Sequence, residues 1–408
     1  MSAYKTLNPT TGKVEKTFDE HTDAQMIARL EKAHDLWKND WRHRAFEERR
    51  KIVKAAAELL RRDKEKHASL IATEMGKSIG ESIGENEFSA DSLDYYADNA
   101  QQFLAPKDIK TSCSKAQVIS QSLGVIYCVE PWNYPYYQLA RVAAPNLMAG
   151  NTVMVKHAPT VPQCALAFEQ LFIDAGAPEG AYTNLFISND QSEKLIERPE
   201  VCGVALTGSE RAGSAVASQA GKALKKSTME LGGTDAFIVL EDADLDLTVQ
   251  NAVYGRFENN GQVCTAAKRM IVHESIADEF TERLKSAISE FRYGDPLDKD
   301  STHGPMSSEN AMSLVLEQVD TAVKGGARLL TGGVRLNREG FFIQAGILTD
   351  ITKDNPIFYK EIFGPIASIY RVRDEEEAIA LANDSPFGLG GSVHTKDTER
   401  GWRVAERI

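Results

Sequence analysis

The sequence predicts an α/β protein with two Rossmann-like parallel-sheet domains, and three observations carry that prediction. The chain has 408 residues, more than one ordinary core accommodates, so two or three domains are expected. From residue 125 onward, β-branched runs alternate with helical patterns. Strands are predicted at 125–129, 152–156, 184–187 and 201–207, with helices at 138–148 and 163–175. That βαβ rhythm implies a parallel sheet covered by helices on both faces. The rhythm restarts after Thr234, with strands at 237–240 and 366–371, helices at 276–291 and 308–324, and breaks at Gly294-Asp295-Pro296 and Gly304-Pro305.

The flanks read differently. Residues 24–104 are helical in pattern; Ile52, Val53, Ala56, Leu59 and Leu60 paint one apolar stripe. Val118 and Ile119 are separated from Val125, Ile126 and Val129 by a Ser122-Leu123-Gly124 turn. At the other end, Trp402, Ala405 and Ile408 share a helical face, yet no glycine stop follows. The segment therefore reads as a helix cut short, with a C-terminal part missing.

Composition narrows the partners. A net charge of -12 argues against binding a nucleic-acid backbone. The five cysteines are widely spaced and form no CxxC pair, which speaks against a disulfide framework or a structural metal site and for a reducing, cytoplasmic setting. The N-terminal stretch MSAYKTLNPTTGKVEKTF has no apolar core of the kind a signal peptide needs, and no run of 18 apolar residues suggests a membrane partner.

Several residues could carry chemistry. Cys264 lies on a polar turn, Asn259-Asn260-Gly261-Gln262-Val263-Cys264, where a thiolate could act as a nucleophile; the alternative is a small buried hydrophobe, the reading kept for the other four cysteines. Glu230, in Met229-Glu230-Leu231-Gly232-Gly233, is flanked by apolar residues. Burial of such a carboxylate is costly and is what tunes a carboxylate toward general-base work; an exposed strand-end glutamate is the alternative. Thr207-Gly208-Ser209 follows a strand and opens a helix, with Ser209 as its cap and free N–H groups that suit a phosphate; an ordinary helix cap is the alternative. Lys156 ends a strand, where it could hold ribose or phosphate or remain solvated. Asn133, in Pro131-Trp132-Asn133-Tyr134-Pro135, could donate to an oxyanion or complete an Asx turn.

Taken together, PWNYP, the lysine at the next strand end, TGS with Gly213, MELGG, NNGQVC and Glu361-Ile362-Phe363-Gly364-Pro365 resemble the aldehyde dehydrogenase superfamily in order and spacing, from Asn8-Pro9 to the last residue. The resemblance implies that Cys264 attacks the aldehyde carbon and that Asn133, with the Cys264 N–H, stabilises the oxyanion. Hydride transfer to a nicotinamide then leaves a thioester, which water activated by Glu230 hydrolyses. Trp132, Asn133, Lys156, His157, Ala158, Pro159, Gly208, Ser209, Leu231, Glu361 and Phe363 match cofactor-contacting positions, with Glu361 on the nicotinamide ribose. The implied division is an NAD(P)-binding domain over 1–104 and 118–231, a β-hairpin of a small oligomerisation element over 105–117, a catalytic domain over 232–400 and a truncated helix over 401–408. A homodimer or homotetramer is the implied assembly.

Within the superfamily the chain looks most similar to succinate-semialdehyde dehydrogenases. Arg141 lies eight residues after Asn133. It could grip the far carboxylate of such a substrate in a tunnel lined by Tyr137. Glu258 stands where mammalian members carry a second arginine. Strict NAD users often have Glu at the position of Pro159, so Pro159 with Lys156 and His157 favours use of both NADP and NAD, leaning to NADP. The rival readings are a dehydrogenase for another small aldehyde, an acylating enzyme that passes the thioester to coenzyme A, and an inactive scaffold of the same fold.

Overall fold

The computed structural model describes residues 3–408. It divides into two compact units. The first holds the N-terminal residues through Leu7, Val14–Glu74 and Ser82–Glu230; the second holds Asn8–Lys13, Met75–Glu81 and Leu231–Ile408.

The first unit is organised on a five-stranded sheet with spatial order Tyr182–Asn184, Thr152–His157, Val125–Glu130, Val201–Thr207, Lys226–Glu230. Every pairing in it is parallel. Strands covered on both faces carry continuous apolar runs rather than alternation. Thr152–His157 accordingly is buried at every position. Val125, Tyr127, Met154 and Val204 pack with Met26, Leu30 and Ala33 of the helix Asp23–Asn39. Each such aliphatic side chain contributes about 1.5–3 kcal/mol by leaving water. The helical N-terminal stretch is four helices, Asp23–Asn39, Phe46–Arg62, Lys64–Met75 and Ile79–Phe103. On the second of them Ile52, Val53, Ala56 and Leu60 are buried, as the stripe predicted.

The second unit has a six-stranded sheet with order Arg328–Thr331, Gly346–Thr349, Ile366–Val372, Arg269–His273, Ala236–Val239, Gly391–His394. Only the edge strand Arg328–Thr331 runs antiparallel. Phe237, Val239, Met270, Val272, Phe280, Leu284, Ile347 and Ile369 form its core. No helix among the described residues is long and apolar enough to cross a membrane.

Three local expectations are corrected. The strand expected at 184–187 is Tyr182–Asn184. Leu185, Phe186 and Ile187 are buried core side chains, but the amides of Phe186 and Ile187 go to His21 Nδ1 (3.2 Å) and the Tyr4 hydroxyl (3.1 Å) instead of a ladder. The terminal helix exposes Trp402 and Ala405 rather than burying them as one apolar face. It spans Thr398–Ala405, is N-capped by Asp397, and closes where the Glu406 N–H reaches the carbonyls of Trp402 and Val404. Its buried residue is Val404, while Trp402 is 68% exposed. Finally, only Cys128 and Cys164 are buried; Cys113 is exposed and Cys202 is partly exposed.

Short strands Lys107–Asp108 and Gln117–Val118 pair antiparallel and lie, by their contacts, with the first unit. Ile109, Val118, Ile119 and Leu123 around them are exposed.

Candidate active site

The first unit gathers its polar groups at the carboxyl ends of its strands, the side where open α/β sheets bind ligands. Thr207, last in its strand, stands opposite Glu230, last in the next. The Gly208 N–H donates to the Glu230 carbonyl at 2.9 Å and closes the corner. The Glu230 side chain is 45% exposed. It is therefore not the buried carboxylate that its apolar neighbours suggested, because the strand Lys226–Glu230 is at the sheet edge and exposed along most of its length. Arg141 Nη1 lies 3.9 Å from Glu230 Oε2, and Nη2 donates to Thr207 Oγ1 at 2.7 Å. Arg141 and Tyr137 are four residues apart on the helix Tyr137–Met148 and so share a face. Tyr137 also stacks on Phe88, centroids 4.5 Å apart.

Asn133 is buried in the turn before that helix, with Trp132 half-buried beside it. The turn is held from below by His157, whose Nε2 faces the Pro135 carbonyl at 3.0 Å and whose Nδ1 faces the Glu130 carbonyl at 3.2 Å. Burial pushes the His157 imidazole down to about 4. This corrects the sequence expectation: the His157 side chain is a neutral support for the PWNYP turn, not an open cation for a phosphate. Lys156 is mostly buried too, and desolvation lowers its ammonium below the usual range while Glu20 opposes the shift. Its Nζ sits 6.0 Å over the Tyr4 ring. Ala158 and Pro159 follow half-buried, and the Pro159 carbonyl accepts from Lys5 N–H at 3.1 Å.

Ser209 caps the helix Glu210–Lys222 by accepting from Ala212 N–H. Ser209 is exposed, and a Cβ built on Gly208 would meet only ordinary van der Waals neighbours, Leu206 and Ala212. Gly208 is thus not demanded by crowding within the fold. An open helix start at the carboxyl end of the sheet that also carries Lys156 fits the phosphates and ribose of a dinucleotide.

The second unit builds the cysteine turn. The helix Leu245–Phe257 carries Arg256, fully buried, in its last turn. Its guanidinium donates to the carbonyls of Ile366 (2.7 Å), Ile362 (2.9 Å), Gly261 (3.3 Å) and Gly364. Desolvation lowers it to about 9 despite the opposing charge of Glu361. Asn259 and Asn260 adopt positive φ of 52° and 53°, a region Asn tolerates better than most side chains. Both are locked. Asn260 Nδ2 donates to Gly304 and Pro305 carbonyls at 3.0 Å, and the Asn259 N–H donates to Glu81 Oε1 at 2.9 Å. Gly261 follows at φ 68°, where a Cβ would lie 2.4 Å from the Gly364 carbonyl oxygen, so only glycine fits.

Cys264 leaves this turn half-buried. Its carbonyl and that of Val263 both accept from Lys268 Nζ, at 2.6 and 2.7 Å. Lys268, 3% exposed, also pairs with Glu361 at 3.0 Å. Glu361 in turn accepts from the Gly233 N–H at 3.2 Å, two residues after Leu231. Phe363 lies under Lys268 with 5.8 Å from Nζ to its centroid. Within this unit Gly233, Lys268, Glu361, Phe363 and the cysteine turn therefore form one connected group.

Sequence reasoning missed Arg256, Lys268, Glu130 and the positioning role of Thr207. A lone arginine between Gly255 and Phe257, and a glutamate closing the run Val125-Ile126-Tyr127-Cys128-Val129, were the available signals.

A parallel α/β fold with an open helix start and a turn-borne cysteine is the setting of a dinucleotide-dependent enzyme. The chain matches the aldehyde dehydrogenase family over residues 1–408 and belongs to it. It is 48% identical over 405 residues to a succinate-semialdehyde dehydrogenase [NADP(+)] of Deinococcus radiodurans, covering 99% of this chain and 85% of that protein. Among solved structures it is similar to Gox0499, with a TM-score of 0.99, 62% identity, and coverage of 100% of this chain and 90% of that one. It is also similar to the succinic semialdehyde dehydrogenase from Streptococcus pyogenes in complex with NADP+, with a TM-score of 0.97, 46% identity, and coverage of 99% and 89%. These matches take in this chain nearly end to end, and the expectation of a missing C-terminal part gains no support from them.

Proposed function

We propose that this aldehyde dehydrogenase oxidises succinate semialdehyde to succinate, with NADP preferred and NAD also used. The observation that carries the substrate is Arg141, a cation beside Glu230 and Thr207 at the strand ends. A substrate carboxylate loses several kcal/mol of hydration on entering a tunnel unless a cation meets it. The relatives named for succinate semialdehyde and NADP point the same way. Pro159 brings no carboxylate to repel a 2′-phosphate, which supports the cofactor reading.

In this reading Cys264 attacks the aldehyde carbon, and the thiohemiacetal oxygen takes hydrogen bonds from Asn133 Nδ2 and the Cys264 N–H. The positive charge of Lys268 at the nucleophile's own carbonyl favours the anionic adduct. Lys156, Ser209 and Glu361 hold the dinucleotide, which supplies the hydride acceptor when bound. Glu230 takes a proton from the water that hydrolyses the thioester, and its partial exposure suits a base that must return that proton to solvent. Cysteines with no disulfide among the described residues support a cytoplasmic setting, and the exposed apolar side chains around 107–123 support a homodimer or homotetramer. The test is a spectrophotometric screen of succinate semialdehyde, butanal and betaine aldehyde with each nucleotide. Succinate semialdehyde with NADP is expected to give the highest kcat/KM; a preference for the uncharged or cationic aldehyde overturns the substrate.

A further inference from the structure

The strand Val125–Glu130 is apolar until its last residue. Glu130 is 1% exposed, and its carboxyl oxygens find no well-formed hydrogen bond, with the Thr207 side chain close enough only to favour the charged form in part. In the ladder, Val129 stands opposite Leu206, so Glu130 falls one step further, beside Thr207; Thr207 in turn stands opposite Glu230. In-register residues of neighbouring parallel strands project to the same face. Glu130, Thr207 and Glu230 therefore form a row across three strand ends, and Arg141 enters it at the middle through its bond to Thr207 Oγ1.

A carboxyl buried this completely with so little compensation favours its neutral form. Burial pushes Glu130 up to about 8; Thr207 and Arg141 pull against that shift, and Glu230 adds to it. The remaining groups that face it are quiet between pH 7 and 9. His157, on the adjoining strand, is held at about 4 by burial, and the Cys128 thiol and Tyr182 phenol are pushed well above their usual ranges, also by burial. Ionising Glu130 thus places a second anion within the influence of one guanidinium.

We propose that Glu130 is a positioning residue for substrate choice: uncharged, it leaves Arg141 free to receive a substrate carboxylate, and ionised, it draws Arg141 inward and repels that carboxylate. This rests on the reading of Arg141 given above. It differs from a structural role for Glu130 because it acts on acidic aldehydes alone and only across one pH window.

The test is the ratio of kcat/KM for succinate semialdehyde to that for butanal, measured from pH 6.5 to 9.5 at saturating NADP. Titrations that affect both aldehydes, such as that of the nucleophile, cancel in the ratio. In the wild-type enzyme the ratio is expected to fall about tenfold with a midpoint near 8, the effect of one added charge in a partly buried site. In Glu130→Gln, and in Glu130→Leu should the amide variant fold poorly, the ratio is expected to stay flat. A flat wild-type ratio, or a midpoint that survives both substitutions, overturns the proposal. Arg141→Leu separates the two layers. If it weakens both aldehydes equally, the substrate reading itself falls and this proposal with it; if it discriminates while the wild-type ratio is flat, only the role of Glu130 falls.

Discussion

In the first unit the candidate groups are placed by strand register, while in the second they are placed by a buried cation. Glu230 and Thr207 face each other because two parallel strands end together, and both the carboxylate and Arg141 remain partly open to solvent. The cysteine turn instead hangs on Arg256, which spends no ionic partner and binds four carbonyls in the dark interior. Register tolerates side-chain exchange at modest cost, since the backbone ladder persists. A turn with one guanidinium among its main anchors is weakened when that side chain is lost. The difference teaches where substitutions act on chemistry and where they act on folding.

The largest expected effect tests the chemistry of the second unit. Cys264→Ala is expected to abolish NADPH production while NADP binding, followed by fluorescence quenching, persists, because no thiohemiacetal can form. Appreciable turnover would remove Cys264 from the nucleophile's role.

In the first unit, Glu230→Gln is expected to slow steady-state turnover by about 10²–10⁴-fold while a stoichiometric burst of NADPH survives. Loss of the burst itself would move Glu230 into the first half-reaction.

Arg256→Met probes the buried cation. It strips donors from the carbonyls of Gly261, Ile362, Gly364 and Ile366, and each orphaned group costs about 1–3 kcal/mol. Urea unfolding should register a loss of roughly 3–5 kcal/mol, the range for breaking a buried charged network. A loss under about 1 kcal/mol, within the range of ordinary surface changes, would show that the turn is held by other means.

Arg141→Leu is expected to raise KM for succinate semialdehyde about ten- to hundredfold, with a much smaller change for butanal and for kcat. No fold defect is expected, in contrast to Arg256.

The smallest effect is on stability against acid. Burial holds His157 in the first unit and His303 in the second near 4, against 6.5 when exposed. A depressed histidine binds fewer protons folded than unfolded, so its contribution is fully present above pH 6.5 and lost as pH falls toward 4. Between pH 7 and 5 each costs about 2 kcal/mol. Replacing His157 by Gln should flatten that loss, read as the change in urea midpoint; an unaltered pH dependence would mean the side chain is not kept neutral.

Much of the fold was legible because its strands are buried on both faces and its helices announce themselves. Val201–Thr207 and Glu309–Lys324 came out nearly to the residue. Lys226–Glu230 did not, since an exposed edge strand reading Lys-Ser-Thr-Met-Glu has no apolar signature. The candidate residues came from motifs, and the physical cues attached to them were less sound. Apolar neighbours suggested that Glu230 is buried, yet flanking residues on a strand point to the opposite face and say little about the side chain between them. His157 read as a cation for phosphate because the sequence cannot show the Pro135 carbonyl above it. Arg256 was illegible for the same reason: its partners lie about a hundred residues away in the chain.

The reach of Arg256 also sets a rhythm of opening. Its four hydrogen bonds tie the segment around Gly261 to that around Gly364, and neither can swing out while the other stays docked. Segments coupled in this way exchange their amide hydrogens as one cooperative unit rather than by separate local fluctuations. The N–H groups of Gln262 and Asn259 on one side, and on the other that of Ile366 and that of Gly346, bonded to Pro365, should therefore share one opening free energy once their intrinsic exchange rates are divided out. The turn bearing Cys264 would then loosen only when the loop bearing Glu361 loosens with it.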